Sequence, residues 1–197
     1  MRELVYYVAI TLDGFIARED GSFDDFPWDD QFISSLAELY PETMPAPMRP
    51  GATRAGNRHF DAVLMGRRTY EVGLQQGLRS PYPTLDQFVF SRTMEESPDP
   101  AVTLVSSDAA QFVGELKERA GLGIWICGGS DLASELFEAG LVDRLILKVN
   151  PLVFGVGIPV FKRRLPPEVL DLAAHRAFDS GHLILEYRVV GPTSVSG

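Results

Sequence analysis

Twice in this chain an apolar run of strand length stops at glycine and gives way at once to helix-forming sequence. The two units are Val63-Leu64-Met65-Gly66-Arg67-Arg68-Thr69-Tyr70 and Ile124-Trp125-Ile126-Cys127-Gly128-Gly129-Ser130-Asp131-Leu132. Short all-apolar runs bounded by turn residues are buried strands, and buried strands alternating with helices predict an α/β domain whose central sheet is largely parallel, joined by right-handed crossovers.

The rest of the sequence fits around these units. Leu4 to Ile10 is predicted as a buried strand running into a turn at Asp13-Gly14, followed by a loop from Phe15 to Pro27. Phe32, Ile33, Leu36, Leu39 and Tyr40 recur at helical spacing, with Asp29 or Asp30 as the cap and Pro41 as the stop. From Pro41 to Arg58 the prolines at 41, 45, 47 and 50 and the glycines at 51 and 56 exclude regular structure, which predicts a long loop over a cleft or at a dimer edge. Strands are expected at Ala62 to Met65, Gln87 to Ser91, Val102 to Val105, Gly123 to Cys127 and Arg144 to Val149. Helices are expected from Arg67 to Val72, between Ser107 and Gly121, and from Ser130 to Ala139, where Gly140 ends the last. Leu170 to Phe178 and His182 to Val190 read as an antiparallel pair across Asp179-Ser180-Gly181. One domain over residues 1–190 and a short polar tail over 191–197 complete the plan.

Charge narrows the function classes. A net charge of -9 repels phosphate polyanions and anionic membranes, which argues against nucleic acid or lipid as the main partner, so any phosphate ligand needs a local basic site. The apolar run from Leu4 to Leu12 falls well short of the roughly 20 residues of a spanning helix. It is interrupted by Tyr6 and Tyr7 and leads into a turn, so it is expected to be a core strand rather than a signal peptide, in a cytoplasmic protein. The single cysteine, Cys127, fits a reducing compartment. His59, His175 and His182 lack ligand spacing, so no metal is expected.

The strand-glycine-helix junctions are where chemistry is expected. Free N–H groups and the positive end of the dipole make a helix N-terminus an anion site, and glycine lets backbone approach a pyrophosphate closely. Arg67 and Arg68 oppose the dipole of the helix they open; they are either solvated surface charges or partners for an external anion. Two such junctions on the carboxyl edge of one sheet suit a dinucleotide. The first strand ends in Thr11-Leu12-Asp13-Gly14, so the Gly-x-Gly-x-x-Gly of the usual nicotinamide fold is absent, as are a P-loop and a Gly-x-Ser-x-Gly elbow.

Taken in order, Val8-Ala9-Ile10-Thr11-Leu12-Asp13-Gly14, Met65-Gly66-Arg67-Arg68-Thr69-Tyr70, Gly128-Gly129, and Ala139-Gly140-Leu141-Val142-Asp143-Arg144 followed by Pro151, Gly155, Gly157, Pro159 and Phe161 resemble the reductase domain of the bifunctional riboflavin-biosynthesis deaminase/reductase and its stand-alone relatives. That resemblance implies the dihydrofolate-reductase-like three-layer α/β/α fold, with a mostly parallel mixed sheet and an antiparallel C-terminal edge. It also implies a homodimer and NADPH as cofactor. Gly66, Arg67, Arg68 and Thr69 would meet the cofactor phosphates. Ser91 and Arg92 would hold the adenosine end with its 2'-phosphate, and Gly128, Gly129, Ser130, Asp131 and Leu132, entered through Cys127, would cradle the pyrophosphate. Ala9 and Ile10 would flank the nicotinamide. Arg67 and Arg92 favour NADPH over NADH because a guanidinium matches the extra phosphate with paired, charge-assisted bonds.

For the proton that accompanies hydride transfer, Asp13 is the expected donor, on the premise that burial raises its pKa; the alternative is that Asp13-Gly14 makes the turn. Dihydrofolate reductase places an acid at a fixed offset after a Pro-Trp pair. Here Pro27-Trp28 is followed at that offset by Ile33, with Asp29 and Asp30 out of register, which argues against folate as substrate. Cys127 stands where the riboflavin reductases carry an acidic residue. The expected activity is reduction of a small heterocyclic, imine or carbonyl compound of the 5-amino-6-(5-phosphoribosylamino)uracil type. The alternative is a dinucleotide-binding regulatory or structural module without turnover.

Overall fold

The first strand, β1 (Leu4–Thr11), has residues buried on both sides, so both faces of the sheet that contains it must be covered. The computed structural model describes residues 1–190. After β1 come β2 (Phe15–Ala17), α1 (Asp30–Leu39), β3 (Phe60–Gly66), α2 (Arg67–Gln75), β4 (Asp86–Phe90), β5 (Val102–Val105), α3 (Ala109–Glu118), β6 (Gly123–Gly128), α4 (Ser130–Glu138), β7 (Arg144–Asn150), β8 (Ile158–Pro159), β9 (Leu170–Ala177) and β10 (Leu183–Val189). The main sheet has the order β5-β4-β3-β6-β1-β7-β10-β9. Strands β5 to β7 in that order are mutually parallel, and β10 pairs antiparallel with both β7 and β9.

Alternation along the central strands divides the core in two. Leu4, Tyr6, Val8 and Ile10 pack with Ile124 and Ile126 beneath Val113 and Leu116 of α3 and Ala133 and Leu136 of α4. Val5 and Tyr7, with Met65, Trp125 and Ile146, meet Phe32 and Leu36 of α1 and Tyr70 of α2 on the other face. This is the dihydrofolate-reductase-like α/β/α arrangement with its antiparallel edge. Truncating a fully buried residue such as Leu136 to alanine costs about 2–5 kcal/mol in such a core.

Two segments depart from expectation. The stretch from Phe15 to Pro27 is not loop throughout, because Phe15 and Ala17 pair with Pro159 and Ile158 as a two-stranded ribbon. The stretch from Pro41 to Arg58 holds three single 3-10 turns and is tethered rather than free. Buried Glu42 accepts the N–H groups of His59 and Phe60, Asn57 donates to the Thr84 carbonyl, and Arg54 pairs with Asp86, so it is fixed at the entries of β3 and β4. The tail over 191–197 lies outside the described residues.

Candidate active site

Because β1, β3, β4, β6 and β7 run in parallel, Thr11, Gly66, Phe90, Gly128 and Asn150 emerge along one edge of the sheet. The two glycine junctions meet there. Met65 partners Gly128 across β3 and β6. A Cβ on Gly66 would sit 3.3 Å from the Gly129 Cα, and one on Gly128 would sit 3.1 Å from Thr69 Oγ1. Gly129 has φ 103, and a Cβ there would lie 3.2 Å from the Gly66 Cα. Neither junction has room for a side chain, and residues 66–69 and 128–132 lie side by side.

Their capping sets these two helices apart. Asp29 accepts the Phe32 N–H at the start of α1, and Asp108 accepts that of Gln111 at the start of α3. At the starts of α2 and α4 stand Gly66 and Gly129, with no side-chain cap. The first N–H groups of a helix have no partner within it, so the adjoining pair presents two clusters of amide donors in one place. Uncapped helix N-termini of this kind are the geometry that favours anions.

The sequence-predicted residues divide around this point. Arg67 and Arg68 are exposed at the mouth; Arg67 makes only a loose pair with Glu71, at 3.7 Å. Ser91 is buried at the end of β4, where its Oγ accepts the N–H groups of Thr93 and Met94 and turns the chain so that Arg92 projects outward. The Ser130 hydroxyl donates to the Pro159 carbonyl at 2.6 Å, which ties α4 to β8. Asp131 is exposed and paired with Lys162, while the Leu132 side chain is core. Ile10 likewise faces the α3 and α4 core, and its carbonyl accepts from Asn150, so only its neighbour Ala9 looks toward α1 and α2. Cys127 shares that face, 3.6 Å from the Tyr82 hydroxyl, and burial pushes its thiol up to about 11.

Asp13 does not have the burial expected of it. It is exposed, and its carboxylate accepts from Thr11 Oγ1 at 2.5 Å, from the Gly155 N–H at 2.7 Å and from the Phe154 N–H. The Thr11 hydroxyl and these amides hold its pKa below the ordinary value, the reverse of the raised value that proton delivery needs. Two of its three partners, Phe154 and Gly155, lie more than 140 positions away in sequence, which is why local reading could not assign this clamp. Asp29 and Asp30 are also spent locally, Asp29 on its helix cap and Asp30 on the Trp28 indole N–H.

One residue escaped the sequence analysis. Lys148 on β7 is the register partner of Ala9, and its Nζ lies 4.1 Å from the centroid of the Tyr7 ring. The signal was present in Arg144-Leu145-Ile146-Leu147-Lys148-Val149: Leu145, Leu147 and Val149 belong to one core, and Lys148 falls in the set that faces the other with Ile146.

Residues 2–184 match the RibD C-terminal domain family. YwjB of Bacillus subtilis (strain 168), described as uncharacterized, is 33% identical over 177 residues, covering 90% of this chain and 92% of YwjB. A putative riboflavin biosynthesis protein from Shewanella sp. PV-4 superposes with a TM-score of 0.70 at 22% identity, covering 96% of this chain and 99% of that one. Enterococcus faecalis dihydrofolate reductase complexed with NADP(H) superposes with a TM-score of 0.65 at 16% identity, covering 95% and 96%.

Proposed function

The chain belongs to the RibD C-terminal domain family, a family of reductase type, and on that footing we propose that it is an NADPH-dependent reductase of a small heterocyclic, imine or carbonyl compound, resembling 5-amino-6-(5-phosphoribosylamino)uracil reductase. The observation that carries this is the pair of uncapped helices, α2 and α4, brought together by glycines too close for side chains. An extended diphosphate fits that cradle. Gly66 to Thr69 take one part of it through backbone N–H groups, and Gly128 to Leu132, entered from Cys127, take the other. Arg67, Arg68, Ser91 and Arg92 supply the positive and donor groups for the 2'-phosphate end. Ala9, and the main chain at Ile10, flank the nicotinamide, which when bound supplies the hydride. The protein's part is then distance, orientation and exclusion of water.

Asp13 serves this site as a clamp. It ties the end of β1 to the Phe154–Gly155 turn, so that Ala9 and the β2–β8 ribbon keep their places. The same low pKa is what favours the second reading, a binding module without turnover. Titration of the purified protein with NADPH and NADH, followed by a substrate panel of pteridines, aminopyrimidines and quinones, separates the two. Tighter NADPH binding with oxidation is expected of the reductase; binding without oxidation of any member marks the module; equal affinity for both cofactors removes the NADPH assignment. Arg67→Ala should weaken NADPH selectively, by about tenfold for one charge-assisted bond.

We extend the proposal to a homodimer, as the resemblance implies. Strand β9 offers the edge: it is the outermost strand on the antiparallel side of the sheet, and all of its residues after Leu170 are exposed. An unpaired strand edge is self-complementary about a two-fold axis, and a second copy of this chain covers it. No helix among the described residues is long and apolar enough to cross a membrane. A cytoplasmic setting suits the single thiol, and the net charge of -9 leaves nucleic acid out of account as a partner.

A further inference from the structure

On the face that carries α1 and α2, three adjacent strands each present a partly exposed residue toward their carboxyl ends: Cys127 on β6, Ala9 on β1 and Lys148 on β7. Around them Tyr7, Met65, Trp125 and Ile146 are at most 3% exposed. These three residues lie near the carboxyl ends of their strands, on the same sheet edge as the two glycine junctions.

Lysine is scarce in this chain, with three against fifteen arginines. Lys117 is bonded to Asp143 and to the Leu141 carbonyl, and Lys162 to Asp131. Lys148 makes neither kind of contact among the described residues and rests on the Tyr7 ring. A π face holds an ammonium without consuming its N–H donors, and a desolvated ammonium lacking a counter-ion is costly unless something else engages it.

We infer that Lys148 is the substrate's proton donor: its Nζ–H donates to the nitrogen or oxygen of the C=N or C=O bond being reduced and gives that atom its proton. The inference rests on the reductase function proposed above. The balance is simple. Hydride from the reduced nicotinamide brings two electrons and one hydrogen to the carbon, the π bond opens onto the heteroatom, and that atom takes a proton from Nζ. Lys148 is left as a neutral amine and recovers its proton from water. The substrate class is a planar conjugated imine or carbonyl compound, small enough to lie over Ala9, whose heteroatom points at β7.

The surroundings suit an acid that works near neutrality. Tyr7 faces Lys148 from β1 and Cys127 from β6, and Ile184, uncharged, is its partner on β10. Farther along the same face, Glu186 is bonded to Arg144 and to the Tyr40 hydroxyl. Tyr82 reaches Cys127 from the segment before β4, and α1 brings Phe32 and Leu36. Burial pushes the Lys148 amine down to about 8, and raises the Cys127 thiol and the Tyr7 and Tyr82 hydroxyls above their ordinary values. Within this group Lys148 is the one poised to exchange a proton around pH 7 to 8.

The test uses the full chain with NADPH and three probes: 7,8-dihydropterin, 5-amino-6-(5-phosphoribosylamino)uracil and menadione. Lys148→Met should bind NADPH within twofold of wild type and lose at least about a hundredfold in kcat for whichever probe is reduced, in line with the typical worth of a general acid. Lys148→Arg, which keeps the charge but does not release a proton, should keep KM and lose kcat. Wild-type kcat should fall as pH rises through about 8, and that limb should vanish in Lys148→Met. Reductive 13C-methylation, read by NMR, should give a Lys148 signal titrating well below those of Lys117 and Lys162 and moving when a probe is added to the NADPH complex. A Lys148→Met enzyme that turns over within threefold of wild type with an unchanged pH profile overturns the inference and leaves the reductase function standing. So does a set of probes that are neither reduced nor able to move the Lys148 signal while NADPH binds. Failure of NADPH to bind the wild type overturns the reductase function itself.

Discussion

A carboxylate on a turn can trade protons or hold the turn, and Asp13 is committed to holding it by three hydrogen bonds. A carboxyl whose folded pKa is depressed contributes stability above its unfolded value of about 3.9, and that contribution is lost as pH falls through the folded value. Asp13→Asn should therefore melt lower than wild type at pH 7, and the gap should begin to narrow as pH is taken below about 4; thermal melts across pH check this, and a gap that does not narrow at all on acidification below about pH 4 contradicts the clamp. The arginines are a separate matter. Arg92, thrust outward by the Ser91 turn, has no ion pair among the described residues, and Arg92→Ala should narrow the preference for NADPH over NADH by about 1.5–3 kcal/mol while leaving NADH affinity as it was. The two strand-glycine-helix junctions at residues 66–69 and 128–132 were legible in the sequence because each is built from a local run of apolar residues, glycine and helix-forming residues. Asp13 and Lys148 were not, because what they touch is set by the pairing of β1 with β7 and by the return of the 154–159 segment.

Elements declare themselves in sequence according to length and locality. β1, β3 and β6 are long apolar runs between turn signals, and α1 and α3 carry both a helical stripe and an acidic cap, so all five were readable within one or two residues. β2 and β8 have three and two residues, too few for any period, and exist only because Phe15 and Ala17 meet Pro159 and Ile158. The contrast between capped and uncapped helices makes a prediction at this scale. Asp108→Ala should cost about 1 kcal/mol in denaturant unfolding and leave NADPH binding intact, since α3 is a structural helix. Gly129→Ala places a Cβ 3.2 Å from the Gly66 Cα on a residue with φ 103, and should cost about 1–3 kcal/mol while abolishing NADPH binding. If Gly129→Ala keeps wild-type affinity, the close approach of the two junctions is not what makes the cradle.

At the scale of the whole molecule, a chain of net charge -9 gathers Arg67, Arg68 and Arg92 at the ends of two adjoining strands, a local reversal of sign that a phosphorylated cofactor can find. The far end of the sheet is a different surface. There Leu172, 53% exposed on β9, should lie within the contact between two copies, so sedimentation should find a dimer for wild type and a monomer for Leu172→Arg; a monomeric wild type removes the dimer from the account. The two ends connect through β1, β7 and β10, which is why the fold class could be read from alternating strands and helices while the antiparallel edge needed its own hairpin signal. The central claim is that one extended diphosphate touches both uncapped helices. Backbone amide NMR during NADPH titration tests it most directly: the amides of Arg67, Arg68 and Thr69 and those of Ser130, Asp131 and Leu132 should shift together with one dissociation constant, whereas movement of only one set, or of neither, contradicts it.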